Sequence, residues 1–253
     1  MKLILGGAMG RMGREVALAA KDAGMEIACG VDVAYSGQNF DFPVVTDFDK
    51  VTETADVLVD FSRPSGLMEL LALAKRNKMP AVLCATGYTE EELEEIRKAS
   101  LEIAVFRSAN MSLGVNLLRR LCSIAARTLG EDFYIEIIER HHRMKADAPS
   151  GTALMLYDAV EKETGSLKEP IYGRNGRTAQ RKPSEIGLHA VRGGTVTGEH
   201  EVCFYGEGEE VILSHRAENR SLFARGAVKA ARFLKDKPAG MYDMQDVLDE
   251  LLS

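Results

Sequence analysis

The hydrophobic and polar positions of residues 1–108 alternate between short apolar runs and longer amphipathic segments. The short runs are rich in Val, Ile or Leu, and they predict strands at residues 2–6, 26–32, 55–61, 80–85 and 101–107. The longer segments place apolar residues at helical spacing opposite charged ones, and they predict helices at residues 11–23, 65–76 and 89–99. Residues 34–50 are irregular, with one short strand predicted at 43–45. Near-continuous apolar strands separated by helices are typical of a parallel sheet covered on both faces.

The pattern changes after residue 108, where this doubly wound, nucleotide-type domain is predicted to end. The later elements are predicted helices at 113–128 and 150–164, strands at 133–140, 185–191, 195–204 and 210–217, and closing helices at 222–234 and 243–252. The three later strands are joined by short glycine-rich turns, and consecutive strands with short turns favour an antiparallel sheet. The sequence therefore predicts a second domain of the α+β class with a mainly antiparallel sheet.

A glycine-rich turn joins the first predicted strand to the first predicted helix. Gly7, Gly10 and Gly13 allow the backbone to approach a pyrophosphate, and the helix start beyond them offers N–H groups and a partial positive charge. Asp32 ends the second strand 19 residues after Gly13, near the spacing expected of an acid that binds a ribose. The alternative is a tight turn with a surface aspartate, but the strand–turn–helix setting favours a dinucleotide site. No GK[ST] follows the turn, which excludes a nucleotide-hydrolysing P-loop.

The residue after Asp32 bears on the choice between NAD and NADP. A site selective for NADP usually carries Arg or Lys there for the 2′-phosphate, whereas this chain has Val33. An acid without a neighbouring cation indicates NADH, although Arg11 could partly compensate.

Residues 136–153 are the densest stretch of potential chemistry in the chain. They include His141, His142, the cation Lys145 and a Ser-Gly-Thr turn at residues 150–152, where a helix is predicted to start. Hydroxyls and backbone N–H groups at such a start bind carboxylates. A lysine adds a positive charge, and a histidine can carry a proton near neutral pH. Together these groups predict a site for a small anionic substrate that receives one proton.

Two other interpretations of this segment stay open. One is a metal site that combines His141 or His142 with the distant His189, His200 or His215. Adjacent residues of an extended segment point to opposite sides and no HExxH spacing occurs, so no metal is expected. The other interpretation is a helix cap beside ordinary surface cations.

Composition and charge narrow the classes of function. The 253 residues carry a formal net charge of −6, which argues against a nucleic acid or an anionic membrane as partner. No apolar run approaches the ~20 residues of a membrane span, and the N-terminus lacks the pattern of a signal peptide, so a soluble, cytoplasmic protein is expected. The four cysteines have no zinc-type spacing. Residues 170–184 hold four cations and no acid, which indicates either a mobile basic loop or an ordinary solvated one.

Residues 139–153, E-R-H-H-R-M-K-A-D-A-P-S-G-T-A, resemble the signature H-H-x-x-K-x-D-x-P-S-G-T-A of the 4-hydroxy-tetrahydrodipicolinate reductases, also called dihydrodipicolinate reductases. The resemblance extends over essentially the whole chain, with further matching segments in order at residues 7–13, 60–64, 86–87, 110–116, 191–192, 198–200 and 223–224. It implies an oxidoreductase of lysine and diaminopimelate synthesis that reduces a cyclic dicarboxylate to tetrahydrodipicolinate with NADH or NADPH. Hydride would pass from the nicotinamide to the substrate ring, and a proton would be added at the neighbouring carbon.

The resemblance also implies roles for individual residues. His141 is expected to be the acid, with Lys145 as its partner in proton donation. The substrate-binding residues expected from the turn and the family pattern are His142, Ser150, Gly151 and Thr152. The pyrophosphate is expected at Gly7, Ala8, Met9, Gly10, Arg11 and Met12, the adenosine ribose at Asp32, and the nicotinamide beside Cys84, Ala85, Thr86, Ser108, Ala109, Asn110 and Met111. Further cofactor contacts are expected at Phe61, Arg63 and Arg220.

By the same resemblance, the C-terminal helices return to the first domain. The expected architecture is an α/β, Rossmann-type dinucleotide-binding domain of residues 1–108 and 218–253, and a domain of residues 109–217 for substrate binding and oligomerisation. The sheet of the second domain is expected to build a homotetramer.

Three parts of the chain depart from the family pattern. Cys84-Ala85-Thr86-Gly87 replaces its usual Gly-Thr-Thr-Gly, Val33 replaces the basic residue of members that use both cofactors, and Met111 replaces an aromatic residue. None of these changes removes a proposed catalytic group. The alternative function is a non-catalytic NAD(H)-sensing protein of the same fold. A metal-dependent hydrolase is a second alternative, for which the chain shows no convergent ligand set.

Overall fold

A computed structural model describes residues 1–165 and 168–253, which divide into two compact units. The first unit comprises Met1–Leu113 and Arg220–Ser253, and the second comprises Gly114–Asn219. These limits lie a few residues beyond the predicted ones because Met111 is buried in the core of the first unit. At the other boundary, Thr197 Oγ1 donates a hydrogen bond to the carbonyl of Glu218 and keeps that residue with the second unit.

The strands are β1 (Lys2–Gly6), β2 (Glu26–Val31), β3 (Val44–Val45), β4 (Val57–Asp60), β5 (Ala81–Leu83), β6 (Ala104–Arg107), β7 (Tyr134–His141), β8 (Glu169–Ile171), β9 (Glu185–Arg192), β10 (Gly198–Tyr205), β11 (Glu210–Ala217) and β12 (Gly240–Tyr242). The α-helices are α1 (Arg11–Asp22), α2 (Leu67–Arg76), α3 (Glu90–Ser100), α4 (Leu113–Leu129), α5 (Gly151–Glu161), α6 (Ser221–Leu234) and α7 (Met244–Leu252). None of the helices within residues 1–165 and 168–253 combines the length and the hydropathy that crossing a bilayer requires.

The sheet of the first unit is parallel and has the strand order β12-β6-β5-β4-β1-β2-β3. Side chains alternate across it, so Leu3 and Leu5 of β1 join one core while Ile4 joins the core on the opposite face. The first core includes residues of α1, α6 and α7, and the second includes residues of α2 and α3. The predicted Rossmann-type sheet covered on both faces is therefore confirmed. The short strand β12 was not predicted, because it fills the turn between the two closing helices.

The sheet of the second unit has the order β11-β10-β7-β9-β8 and is mixed. Strand β10 is antiparallel to β11 and to β7, whereas β9 is parallel to β7 and to β8. The predicted antiparallel pairing is found for β10 with both of its neighbours, and the parallel pairing of β9 adds to it. A short turn does join β9 to β10, but β7 lies between them, and the chain from β7 to β9 passes through helix α5, as a parallel crossover requires. Edge strand β8, which was not predicted, contains Pro170, and proline is tolerated at a sheet edge.

One face of this mixed sheet packs against α4 and α5. Ile135 and Ile137 of β7 point into that core, together with Cys122 of α4 and Leu156 of α5. The inward residues of β7 alternate with more exposed ones along the whole strand up to its last residue, His141, which is buried. Strand β7 therefore brings the predicted proton donor to the end of a central strand with a neighbour on each side.

Candidate active site

The glycine turn of the first unit is shaped by contacts that exclude side chains. Gly7 has φ +71°, and a Cβ there would lie 2.7 Å from the carbonyl oxygen of Phe61. A Cβ on Gly13 would lie 2.1 Å from the carbonyl oxygen of Gly7, so the first turn of α1 packs directly on the glycine turn. Gly10 is the N-cap of α1 and provides no side chain to occupy the helix N–H groups. The turn and the helix start thus leave backbone donors available to an anion.

Asp32 follows β2 and lies against the same turn. Its Oδ2 accepts a hydrogen bond from the Met9 N–H at 2.9 Å, and its Oδ1 accepts one from the Ala34 N–H at 3.0 Å. The side chain of Val33, the residue between Asp32 and Ala34, is 88% exposed. The structure therefore joins Asp32 to the glycine turn, which the alternative of an isolated surface aspartate did not anticipate.

The other predicted cofactor residues of this unit follow the carboxyl ends of neighbouring strands. Phe61 and Arg63 follow β4, residues 84–86 follow β5, and residues 108–111 follow β6, and Arg220 is the N-cap of α6. The carboxyl ends of parallel strands meet at one edge of the sheet, where nucleotides bind in open α/β folds. Met111 was expected to line the nicotinamide site, but its side chain is buried in the core of the first unit.

A buried carboxyl group at this edge had no predicted role. Asp60 is the last residue of β4 and is 2% exposed. Burial raises its pKa to about 6, and hydrogen bonding from Ser62, including its N–H at 3.1 Å, opposes the shift only in part. A Cβ on Gly6 would lie 2.2 Å from Asp60 Oδ1, so the glycine at the end of β1 makes room for this acid.

In the second unit, a buried carboxylate contacts the last residue of β7, the last residue of β9 and the residue that precedes α5. Glu139 of β7 lies with its Oε2 2.5 Å from His141 Nδ1, and its Oε1 accepts a hydrogen bond from the Ser150 N–H at 3.0 Å. Arg192, the last residue of β9, donates to both carboxylate oxygens at 2.8 and 2.7 Å. Glu139 is 1% exposed. The structure thus brings together His141 and Ser150, two of the predicted site residues, through a third residue.

A second histidine joins this cluster from β10. His200 Nε2 lies 3.1 Å from Ser150 Oγ, and the His200 and His141 rings meet edge to face with centroids 5.2 Å apart. Burial lowers the pKa of His200 to about 4. Burial also lowers the pKa of His141, although Glu139 acts in the opposite direction. The surroundings of both rings therefore favour the neutral imidazole.

Lys145 lies on the turn that follows β7. Its Nζ is 2.8 Å from Asp147 Oδ1, and its side chain is 21% exposed. Its charge contributes to lowering the pKa of His141. His142 lies on the same turn, where its carbonyl accepts a hydrogen bond from the Lys145 N–H. The predicted proton donor and its predicted partner are thus electrostatically coupled.

The basic loop at residues 170–184 is held by ion pairs that neither interpretation of it anticipated. Arg174 Nη1 and Arg181 Nε donate to the carboxylate of Glu136 at 2.9 and 3.1 Å. The guanidinium of Arg181 also lies 4.5 Å from the ring centroid of Tyr134. Within residues 1–165 and 168–253, no group of three or more His, Cys, Asp or Glu side chains is placed to hold a metal ion.

Comparison with known proteins decides the family. The family model for the N-terminus of dihydrodipicolinate reductase matches residues 1–111, and the model for its C-terminus matches residues 114–248. A curated 4-hydroxy-tetrahydrodipicolinate reductase from Caldanaerobacter subterraneus subsp. tengcongensis is 48% identical over 249 residues, covering 98% of each chain. One from Burkholderia pseudomallei is 42% identical over 262 residues, covering 98% of this chain and 99% of its own. The chain belongs to the 4-hydroxy-tetrahydrodipicolinate reductase family.

A solved structure supports the fold of this reductase. The dipicolinate-bound dihydrodipicolinate reductase from Paenisporosarcina sp. TG-14 has a TM-score of 0.80, with 24% identity over 96% of this chain and 97% of its own. The expectation drawn from the sequence motifs, an oxidoreductase of this family with a Rossmann-type unit, is confirmed. The relatives named here are reductases, so the non-catalytic alternative gains no support from them.

Three residues of the cluster around His141 had no predicted role in the reduction: Glu139, Arg192 and His200. Glu139 and His141 are two residues apart on one strand and therefore point to the same side, a signal that the sequence does contain. Arg192 lies 53 residues from Glu139 along the chain, and its side-chain partner follows only from the pairing of β7 with β9. His200 is likewise brought to Ser150 by the pairing of β7 with β10.

The buried histidine predicts a pH dependence of the stability of this reductase. Because the pKa of His200 is about 4 when folded and 6.5 ordinarily, the unfolded chain takes up a proton first as the pH falls. The contribution of His200 is thus fully present above pH 6.5 and is lost progressively towards pH 4, to a maximum of about 3 kcal/mol. A His200→Gln variant is expected to lose less free energy of unfolding between pH 7.5 and pH 5 than the wild type in urea titrations. An equal loss of free energy of unfolding in both proteins would contradict the lowered pKa assigned to His200.

Proposed function

We propose which residues of this chain bind the cofactor, bind the substrate and transfer the proton in the reaction of its family. That reaction is the NAD(P)H-dependent reduction of 4-hydroxy-tetrahydrodipicolinate to tetrahydrodipicolinate in lysine and diaminopimelate biosynthesis. The observation that carries the proposal is the arrangement around Glu139. One buried carboxylate holds the imidazole of His141 and Ser150, the N-cap of helix α5, in a single hydrogen-bonded cluster. A proton donor and a carboxylate-binding helix start are thereby fixed beside each other.

The residues of the first unit fit a pyridine dinucleotide. Gly7 and Gly13 let the backbone of the turn pack closely against residue 61 and the start of α1, and a glycine turn that leads into a helix start suits a pyrophosphate. Each oxygen of Asp32 accepts one backbone hydrogen bond, and a carboxylate oxygen has a second lone pair with which to accept a ribose hydroxyl. When bound, the nicotinamide supplies the hydride. The protein supplies placement, with the segments after β5 and β6 beside the ring.

The substrate carboxylate is assigned to the start of helix α5 and to His142. Ser150 Oγ already accepts a hydrogen bond from the Ala153 N–H and contacts His200, so Ser150 shapes the site as the helix cap. Gly151 and Thr152, the first two residues of the helix, match the family's contacts to the substrate carboxylate, and a helix start favours an anion. A Cβ built on Gly151 meets no atom within 4 Å. This open space lets a carboxylate approach the backbone.

His141 and Lys145 are assigned to proton donation to the substrate. Glu139 occupies Nδ1 of His141, so the exchangeable position of the ring is Nε2. The binding of a dianionic substrate would place negative charge near the ring and favour the imidazolium. Lys145 supplies a fixed charge and a further source of protons in the same turn. Loss of the 4-hydroxyl group as water leaves a double bond in the ring, and His141 donates a proton to the carbon of that bond next to the one that receives the hydride.

The assignment is tested with purified protein in metal-free buffer, with NADH and NADPH supplied separately and the substrate generated in situ by the upstream synthase. We expect oxidation of at least one cofactor that depends on the synthase reaction. Binding of the cofactor without turnover would favour the NAD(H)-sensing alternative. Turnover that requires an added divalent metal would favour a metal-dependent enzyme.

We propose NADH as the preferred cofactor because Asp32 precedes an exposed apolar residue. A Val33→Arg variant is expected to raise the ratio of kcat/KM for NADPH to that for NADH by at least about tenfold, since one charge-assisted hydrogen bond is worth about 1.5–3 kcal/mol. Val33→Met is the control, because it adds length without charge. An unchanged ratio in Val33→Arg would show that residues 32–33 do not discriminate between the cofactors.

A homotetramer built through the sheet of the second unit and a cytoplasmic location stay predictions. The same holds for the absence of nucleic acid and membrane partners, which was predicted from the net charge of −6.

A further inference from the structure

We propose that Glu139, clamped by Arg192, is the positioning residue that fixes both the orientation and the tautomer of His141 and locks it to the substrate-binding helix start. The inference rests on the proposed function for the identity of the proton donor. Glu139 itself contacts the Nδ1 side of the His141 ring, and both of its carboxylate oxygens accept hydrogen bonds from groups of the protein.

Each contact of the Glu139 carboxylate comes from a donor. Oε2 faces His141 Nδ1 at 2.5 Å and Arg192 Nη1 at 2.8 Å, and Oε1 faces the Ser150 N–H at 3.0 Å and Arg192 Nη2 at 2.7 Å. The side chain is 1% exposed, so water does not compete for these oxygens. Burial raises the pKa of Glu139, but the bonds from Arg192 and His141 outweigh it and hold the pKa below its ordinary value. The carboxylate is ionised and only accepts.

This geometry decides which nitrogen of His141 is reactive. An ionised carboxylate 2.5 Å from Nδ1 requires that Nδ1 carry hydrogen. Nε2 is therefore the nitrogen that gains and loses a proton as the ring titrates. A Cβ built on Gly198 would lie 3.1 Å from Nε2, so this glycine leaves room at the reactive nitrogen. Fixing one tautomer through a buried acid is an established way to prepare a histidine for proton transfer.

The same carboxylate couples the proton donor to the substrate-binding segment. Through the Ser150 N–H it holds the residue that caps α5, and Arg192 Nη2 also donates to the carbonyl of Asp147 at 2.6 Å. The loop from the end of β7 to the start of α5 is thus tied at both ends to one ion pair. A shift of Glu139 would move the ring of His141 and the carboxylate-binding N–H groups together.

The chain contains a matched control on the same strand. Glu136 also accepts from a histidine and two arginines, with its Oε2 2.6 Å from His189 Nε2 and with Arg174 and Arg181 as partners. Its partners belong to the basic loop and to β9, and it makes no contact with His141 or Ser150 among the hydrogen bonds of the described residues. Replacing Glu136 by Gln removes a comparable charge from a comparable network.

The test compares Glu139→Gln with Glu136→Gln in the full-length protein. Two quantities are measured: the pH profile of kcat/KM, and the titration of His141 followed by NMR of histidine-labelled enzyme. Without the carboxylate the imidazolium loses its partner, so in Glu139→Gln the titration of His141 and the limb of kcat/KM that falls with rising pH are expected to move to lower pH. At neutral pH kcat/KM is expected to fall on the order of 10²- to 10⁴-fold. Glu136→Gln is expected to keep both at their wild-type positions.

The outcomes separate this inference from the proposed function. If the titration of His141 and the limb both stay in place in Glu139→Gln, the positioning role is overturned, even when activity falls. If the titration moves and the limb does not, Glu139 still sets the state of His141, but His141 is not the proton donor and the proposed function fails. A measurement on the wild type covers the case in which Glu139→Gln does not fold. The ¹⁵N shifts of neutral His141 must show hydrogen on Nδ1, and hydrogen on Nε2 would overturn the inference.

Discussion

Replacing Lys145 by Ala is expected to lower kcat on the order of 10²- to 10⁴-fold, the usual contribution of a positioned proton-transfer group. The Nζ of Lys145 is 2.8 Å from Asp147 and its charge acts on His141. The variant would remove a cation from the turn that carries the proton donor while leaving the strand and the helix cap in place. Because the side chain lies on a turn and belongs to none of the three hydrophobic cores found among the described residues, the thermal stability of the enzyme is expected to change little. Steady-state kinetics at saturating cofactor, with a thermal melt of each protein, measures both.

Two variants control for charge alone. Arg143→Ala removes a neighbouring exposed cation of the same turn and is expected to keep kcat within a few-fold of the wild type. Lys145→Arg keeps the charge but cannot release a proton near neutral pH, so it is expected to recover substrate affinity more than kcat. A near-wild-type rate in Lys145→Ala would refute its role. Equal losses in Arg143→Ala and Lys145→Ala would reduce that role to general electrostatics.

Replacing Gly13 by Ala is expected to have the largest effect on the first unit. The added Cβ would lie 2.1 Å from the carbonyl oxygen of Gly7 and 2.8 Å from two backbone atoms of Ala8. Backbone atoms cannot rotate away as a side chain can, so helix α1 must move off the glycine turn. Overpacking typically costs about 1–3 kcal/mol, and we expect a clash with backbone atoms to lie at the upper end of that range. The expected result is a lower free energy of unfolding in denaturant titrations together with a strongly raised KM for the cofactor.

Gly10→Ala provides the comparison within the same turn. A Cβ there has a single neighbour, the carbonyl oxygen of Gly7 at 3.2 Å, and the backbone at Gly10 has the extended conformation of an ordinary N-cap residue. This variant is expected to keep most of the stability while weakening cofactor binding, because Gly10 belongs to the turn assigned to the pyrophosphate and a methyl group there would hinder close approach to its backbone. Equal stability in Gly13→Ala and the wild type would contradict the packing described for α1. Unchanged cofactor KM in both variants would place the pyrophosphate elsewhere.

The sequence sufficed for the elements and for the first sheet because each strand there is a continuous apolar run between amphipathic helices. It did not suffice for the mixed sheet. The short turn after β9 indicates a reversal of direction, but whether β10 pairs with β9 depends on a strand some fifty residues earlier, and no local pattern records that competition.

The candidate site likewise contains residues that the sequence predicts and residues that only the structure reveals. His141, Lys145 and residues 150–152 stand close together in the sequence and could be predicted from their chemistry and from the family pattern. Glu139 lies within the same motif, yet its importance depends on burial and on Arg192, which lies on another strand. A charged residue in a strand is ordinarily exposed, so only the structure distinguishes this buried acid from the exposed ones around it.

The central position of β7 has a consequence for synthesis on the ribosome. Both of its neighbours, β9 and β10, come later in the chain, and together they end at residue 205. Contacts between distant segments form slowly because the intervening chain must first be ordered. The strand that ends in His141 therefore has no partner on either side until well over half of the polypeptide has emerged. Until then its apolar side chains and unpaired backbone are exposed to other nascent chains.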